Sequence, residues 1–412
     1  SMQAVLFVQF LSRSKTSYCD LANGFSDTYD LCQSKGDFFW VEHEGDSSQW
    51  HSEKIYTDRK LPIDRGTVFV SASYINHLYQ VYVWSQQYPE IEFIVGGPVT
   101  ASRECTTDAW NPLYFEVRDH FQFPENLKIT GKSVEDIFEA SNFSGQWRLE
   151  VPHTIVNPES PIYFSYTLDN GCYWGKCIYC NIKEVPRALF RRREELNYEF
   201  AGLGHPGTKI VRLNTGSITP KNIREILPNL PRRNDLEYRT FMRSAPAENQ
   251  SLEKVLGQMT DGFPALTLGI GIEFPSDRML TFMGKGITKD DILETLRICA
   301  QYNVKVNGNV ILGWGNLVKE DIQDLERFFE DMPDQAMTSA QLRWLYAHPH
   351  TVIHDRYQGE PVYLGPFYLG FSTDISPEQM ALNREAVEMI LGYSRTKRFK
   401  LEGLGNMKTQ SL

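Results

Sequence analysis

The chain has 412 residues, with 42 Lys and Arg against 52 Asp and Glu for a formal charge of −10, and is 41% hydrophobic and 13% aromatic. That balance excludes a general phosphate-backbone binder, so no nucleic-acid partner is expected, and the apolar content excludes disordered and fibrous classes. No run approaches the roughly 18 apolar residues of a membrane span, so no membrane partner is expected and the chain reads as cytoplasmic.

The predicted fold class is α/β. From the N-terminus, AVLFVQF (4–10) and DFFWVE (37–42) have strand length. TVFVSASY (67–74) is a β-branched strand, NHLYQVYVWSQQYPE has helical spacing, and IEFIVGGP (91–98) is a strand stopped by glycine and proline. Strand, helix, strand with doubly buried runs predicts a Rossmann-like domain over 2–150, whose ligand site lies at the strand ends. Ser71, Ser73 and Tyr74 after one strand and Gly96 and Gly97 after the next are the candidates there, although Gly-Gly-Pro also ends a strand for purely conformational reasons.

The polar stretch VPHTIVNPESP (151–161) predicts a boundary. Beyond it, over 155–350, strands PIYFSYTL (161–168), TKIVRLNTG (208–216), LEYRTFMRS (236–244), LTLGIGIEF (266–274) and VKVNGNVILGWG (304–315) alternate with helices. One helix opens at Thr288 with Asp291 as capping-box partner. The pattern predicts a partial TIM-like barrel with its site at the C-terminal strand ends. Over 351–412 a helical extension is expected, started by Ser376-Pro377 with Gln379 closing the box and running about four turns to near Tyr393.

Seven cysteines are present, and an odd count in a long chain is no disulfide framework. Cys172, Cys177 and Cys180 fall within nine residues in a C-x4-C-x2-C loop, and Gly171 and Gly175 let the loop turn its sulfurs toward one centre. Thiolates suit zinc or an iron–sulfur cluster. A structural zinc would need a fourth ligand, from Cys105 or a histidine, and would make the chain a zinc-stabilised, non-catalytic binding protein. Three cysteines on a four-iron cluster leave one iron open. Cys19, Cys32, Cys105 and Cys299 read as ordinary thiols.

With an aromatic, Tyr179, before the third cysteine, the triad after a first barrel strand resembles the radical S-adenosylmethionine (SAM) superfamily. LTLGIGIEFPSDRMLTFMGKGIT (266–288), then VKVNGNVILGWG and KEDIQDLERFFEDM, are similar to the second half of that family's (β/α)6 barrel. The resemblance implies a 4Fe–4S cluster on Cys172, Cys177 and Cys180, with SAM on the open iron cleaved to a 5′-deoxyadenosyl radical. Thr215, Gly216 and Ser217 match the turn that holds the methionyl amine, Arg243 and Glu273 the grips on carboxylate or ribose, and Ile311 and Gly313 the adenine-packing strand. Read from the residues alone, Glu273 and Arg243 could instead be a buried pair, and Ser217 a helix cap.

Three departures stand out. The first two cysteines are separated by four residues where the family usually has three; Asn214-Thr215-Gly216-Ser217 replaces a Gly-Gly-Glu turn; and Trp314-Gly315-Asn316-Leu317 lacks the family's acid.

The front segment followed by such a barrel resembles the cobalamin-binding branch, implying cobalamin cradled near Ser71, Ser73, Gly96, Gly97 and Pro98. The Asp-x-His-x-x-Gly signature is absent. The branch implies methyl transfer to an unactivated carbon of a small molecule or peptide, with flavodoxin or ferredoxin as electron donor. The alternative is a cobalamin-independent isomerase, cyclase or oxidase with a degenerate front domain. Arg343, His348 and His350 are candidates to meet substrate at the barrel mouth.

Overall fold

A computed structural model describes residues 4–13, 19–21, 37–44, 60–102, 110–131, 162–169, 171–182, 208–230, 232, 234–259 and 265–403. Two compact units emerge: Ser1–Tyr166, Asn197–Val211 and Val362–Leu369 make the first, and Thr167–Leu196, Arg212–Pro361 and Gly370–Leu412 the second. This differs from the expected division at 2–150, 155–350 and 351–412. The first unit runs on to Tyr166, and most of the last segment belongs to the second unit. The predicted boundary stretch 151–161 lies outside the described residues.

In the first unit the strands are β1 (Val5–Arg13), β2 (Cys19–Leu21), β3 (Asp37–Glu44), β4 (Gly66–Ser71), β5 (Ile91–Gly96), β6 (Glu116–Val117) and β7 (Leu127–Ile129). Five of them pair in parallel in the order β3-β1-β4-β5-β7. Val68, Val70, Phe93 and Val95 are wholly buried, which is why β4 and β5 read as continuous apolar runs. Helix α1 (Ile75–Gln87) joins β4 to β5 and packs Leu78, Val81 and Trp84 into the same core. Counted along the chain, the parallel strands lie 2-1-3-4-5, and the order reverses between β1 and β4, where such sheets bind ligands.

The division between the units falls within β8 (Ile162–Thr167) and β9 (Thr208–Asn214). The second unit continues through β10 (Glu237–Met242), β11 (Ala265–Glu273), β12 (Lys305–Leu312) and β13 (Ser339–Trp344), each beside its predecessor. The pairs from β10 to β13 are parallel, as a barrel of β/α units requires. Between them run α2 (Pro220–Ile226), α3 (Pro246–Gln258), α4 (Asp277–Phe282), α5 (Lys289–Gln301) and α6 (Lys319–Asp331). The box at the start of α5 forms as predicted: Thr288 Oγ1 accepts from the Asp291 N–H at 3.2 Å and Asp291 Oδ2 from the Thr288 N–H at 2.9 Å.

Burial alternates along these strands. Tyr238, Leu268, Val306 and Val310 are wholly buried, whereas Arg239, Phe241, Asn307, Asn309 and Ile311 are partly exposed. A strand sends successive side chains to opposite faces, so the half-exposed set shares one face of the sheet.

The C-terminal segment is not simply helical. It holds α7 (Val352–Arg356) and α8 (Pro377–Thr396), but also strands Val362–Leu364, Phe367–Ser372 and Lys400–Glu402. Helix α8 has 20 residues, more than the four turns expected. Ser376 caps it by accepting from the Gln379 N–H at 3.2 Å, but the Gln379 side chain does not close the box and points to the end of β12 instead.

Candidate functional site

The cysteine loop follows β8, and Gly171 and Gly175 adopt positive φ of 76° and 63°, a turn that a β-carbon would disfavour. Cys172, Cys177 and Cys180 are all partly buried. Loop and barrel are fastened at several points. Ile178 N–H donates to Met283 O at 3.0 Å, Trp174 Nε1 to Gly284 O at 2.8 Å, and Ile353 N–H of α7 to Ile178 O at 3.2 Å. A β-carbon on Gly284 would meet Lys176 O at 2.5 Å, and one on Gly286 would overlap the Trp174 ring. The four-residue spacer is thus held by an anchored tryptophan. Sequence reasoning missed Trp174, for which the only signal was the length of the spacer.

Arg243 completes this anchor. Its guanidinium stacks 3.8 Å over the Trp174 ring and donates to Lys285 O at 2.9 Å and Gly286 O at 3.0 Å. The guanidinium therefore braces the cysteine loop, and it is not the partner of Glu273. That partner is Lys285, whose Nζ lies 3.3 Å from Glu273 Oε1, the same oxygen that accepts from the Tyr179 hydroxyl at 2.9 Å. Glu273 sits at a bulge in β11 with φ of 59°, a left-handed conformation costly for glutamate and characteristic of functional positions. Burial works against the Lys285 charge, but Glu273, joined by Cys177 wherever that thiol is ionised, outweighs it and raises the Lys285 pKa. Burial pushes the Cys177 thiol up, against the Lys285 charge, and the Cys180 thiol up to about 11.

The β9 end lies against the first cysteine, since a β-carbon on Gly216 would meet Cys172 Cβ at 2.9 Å. Beside it, Thr215 Oγ1 is buried without a hydrogen-bond partner. Ser217 Oγ accepts from the Arg243 N–H at 2.9 Å, tying β9 to β10 rather than capping a helix. Gly313 has φ of 88°, and a β-carbon there would strike the Trp344 ring at 2.5 Å. Among the described residues no three His, Cys, Asp or Glu side chains converge as one metal ion requires. Structural zinc needs four ligands about 2.0–2.3 Å from a single point. The proposed fourth ligand Cys105 lies outside the described residues. Three partly buried thiols on one glycine-hinged loop are donors of the kind that suit an iron–sulfur cluster.

Residues 166–329 match the Radical SAM superfamily. The match covers that segment and no more of the chain. It begins in β8 and ends within α6, so it contains the cysteine loop, the β9 turn and the Glu273–Lys285 pair. No curated protein matches the chain. Among solved structures, the radical SAM methyltransferase TsrM from Kitasatospora setae, with tryptophan substrate and the analogue aza-SAM bound, is 12% identical over 94% of this chain and 89% of its own, with a TM-score of 0.58. The same enzyme with cobalamin and a 4Fe–4S cluster is 12% identical over 85% and 77%, with a TM-score of 0.53. OxsB, a cobalamin-dependent SAM radical enzyme with aqua-cobalamin and SAM bound, is 13% identical over 97% of this chain and 62% of its own, with a TM-score of 0.50. At such identities the likeness is one of fold.

The remaining candidates are distributed unevenly. Ile311 lies on the half-exposed face, in register with Arg343 on β13. Arg343 is exposed and donates to Gln341 Oε1 at 2.9 Å. His348 and His350 follow the short strand Tyr346–Ala347, half-buried; His350 has φ of 67°, just before Thr351, which caps α7. Cys299 is buried within α5, as an ordinary thiol would be.

In the first unit Ser71 and Gly96 are register partners at the C-terminal ends of β4 and β5. Gly97 has φ of 102°, and a β-carbon there would lie 2.6 Å from both Ala72 N and Ala72 O. Val99 N–H donates to Ala72 O at 3.1 Å, and Ser73 N–H to His77 Nδ1 at 3.2 Å. Pro98 opens a short 3-10 turn. These positions lie at and just beyond the C-terminal ends of β4 and β5, and the glycine is explained by the close approach of the Ala72 backbone. No helix among the described residues is long and apolar enough to cross a membrane.

Proposed function

We propose that the chain is a radical SAM enzyme carrying a 4Fe–4S cluster on Cys172, Cys177 and Cys180, with SAM at the open iron and cobalamin on the first unit, that methylates an unactivated carbon of a small molecule or peptide. When bound, cluster and SAM supply reductive cleavage of the sulfonium and hydrogen abstraction from carbon, and cobalamin supplies the methyl group. The observation that carries the reading is the three-cysteine loop, clamped by Trp174 and Arg243 beside the Gly216 turn and the buried Glu273–Lys285 pair.

Each residue has a task. Thr215 offers its unpartnered hydroxyl to the methionyl amine. Lys285, held charged near Cys177, receives the carboxylate, and Glu273, fixed by Tyr179 and Lys285, faces the ribose hydroxyls. Ile311 and Gly313 present a flat apolar edge to adenine. Arg343, His348 and His350 remain the candidates to meet substrate. Flavodoxin or ferredoxin delivers the electron, in the cytoplasm.

The fold likeness to TsrM and OxsB and the 2-1-3-4-5 strand order support cobalamin. Against it, the Gly97 turn is filled by its own backbone, which favours the second reading, a cobalamin-independent isomerase, cyclase or oxidase. Anaerobically reconstituted protein given SAM and a reductant should yield 5′-deoxyadenosine, and should keep cobalamin through gel filtration. Cleavage without cobalamin retention sustains the second reading. Colourless protein holding one zinc would overturn both.

A further inference from the structure

Helix α8 lies outside the matched superfamily segment, yet its side chains hold the turn that follows β12. Asn383 Oδ1 accepts from the Gly313 N–H at 2.7 Å, and Asn383 Nδ2 donates to Trp314 O at 2.9 Å and Gln379 O at 2.8 Å. Gln379 pairs twice with Leu317, accepting from its N–H at 2.8 Å and donating to its carbonyl at 2.9 Å. Thr373 Oγ1 donates to Gly313 O at 3.1 Å, and the Tyr357 hydroxyl accepts from the Gly315 N–H at 3.3 Å. Four side chains from the C-terminal segment thus hold most of the polar backbone of residues 313–317. Within the turn itself Trp314 Nε1 donates to Ile311 O at 2.8 Å, and the left-handed Gly313 and the missing acid leave the rest of it to partners from elsewhere in the chain.

Asn383 is wholly buried in the interior of a 20-residue helix, where asparagine is a poor helix former. Its amide is not half-satisfied; every described bond goes to the turn or to its own helix. A buried polar group kept against propensity, with all its bonds spent on one turn, specifies the shape of that turn.

We propose that Asn383 and Gln379 are positioning residues for SAM: they fix residues 313–317 in the shape that receives the adenosyl group, in place of the acid-bearing turn the sequence lacks. This rests on the assignment of Ile311 and Gly313 to adenine in the proposed function. The anchors of the cysteine loop, Trp174 and Arg243, bond to residues 284–286 and not to α8, so cluster loading is separable from the adenosyl grip.

The test is the dissociation constant of S-adenosylhomocysteine, measured by calorimetry on anaerobically reconstituted full-length protein, beside iron content and melting temperature. Gln379→Leu should load iron as the wild type does and bind about five- to tenfold more weakly, as expected for two backbone groups left unpaired, and Asn383→Leu more weakly still. If Asn383→Leu fails to fold, Gln379→Leu, at a half-exposed position, carries the test alone. Iron-loaded variants that bind with the wild-type constant, even with a lowered melting temperature, overturn the inference. Iron-loaded wild-type protein that binds no S-adenosylhomocysteine overturns the reading beneath it, and the inference with it.

Discussion

Lys285 and Glu273 are each about a tenth exposed or less, with side-chain exposures of 10% and 8%, so neither charge is supported by water. Removing one partner from such a pair leaves the other uncompensated. Lys285→Met should therefore cost about 3–5 kcal/mol in urea unfolding, and Lys285→Met with Glu273→Gln distinctly less. The three thiols give a pH prediction. Burial raises Cys177 and Cys180, so the metal-free protein holds them protonated at neutral pH, and each must lose a proton to bind iron. The apparent iron affinity should accordingly rise with pH across 7 to 9, followed by the visible absorbance of the reconstituted cluster; a flat profile would contradict the thiol environment described. At this scale the cysteines were legible because their spacing is local. The Lys285 pairing was not, since it depends on the turn at Gly284 and Gly286 folding back on β11. For the same reason Arg243, a strand-end arginine in sequence, turned out to be a brace on Trp174.

Helix α6 is held at its start by Asp321, which accepts from Ser276 Oγ at 2.6 Å, from the Val318 N–H at 2.8 Å and from Arg278. Burial works to raise its carboxyl, but Arg278, Ser276 and the Val318 amide outweigh burial and hold it below the ordinary value. A depressed carboxylate stabilises the fold above its unfolded pKa of about 3.9, and that contribution is lost as pH falls through the lower folded value. Asp321→Asn should lower stability at pH 7 by about 1–3 kcal/mol and lose less on acidification than the wild type, read from melts at pH 3, 5 and 7. Gly216→Ala should push the β9 turn off Gly171 and Cys172, lowering iron per chain while the far-ultraviolet spectrum stays unchanged. Strand identities and the Thr288 box were readable because they rest on neighbours in sequence. Gln379 was misread, because a glutamine at the third position of a helix looks like a cap whether or not a distant backbone claims its amide.

For the whole molecule, the parallel front sheet follows from apolar runs long enough to be buried on both faces, and the sequential strands β10 to β13 from their alternation with helices. The boundaries did not, because residues 362–369 return to the first unit far downstream of its last boundary strand, β9, and composition carries no trace of that return. The C-terminal segment was read as an appendage for the same reason, although Lys397 caps the end of α6 through Met332 O at 2.8 Å and α8 holds the β12 turn. The central claim is that Cys172, Cys177 and Cys180 hold a cluster with one iron open to SAM. Electron paramagnetic resonance of the reconstituted, reduced protein with and without SAM tests it most directly. The account predicts a reduced 4Fe–4S signal that shifts when SAM is added and is lost in Cys177→Ala; an iron-free protein, or a cluster signal that SAM leaves unmoved, would contradict it.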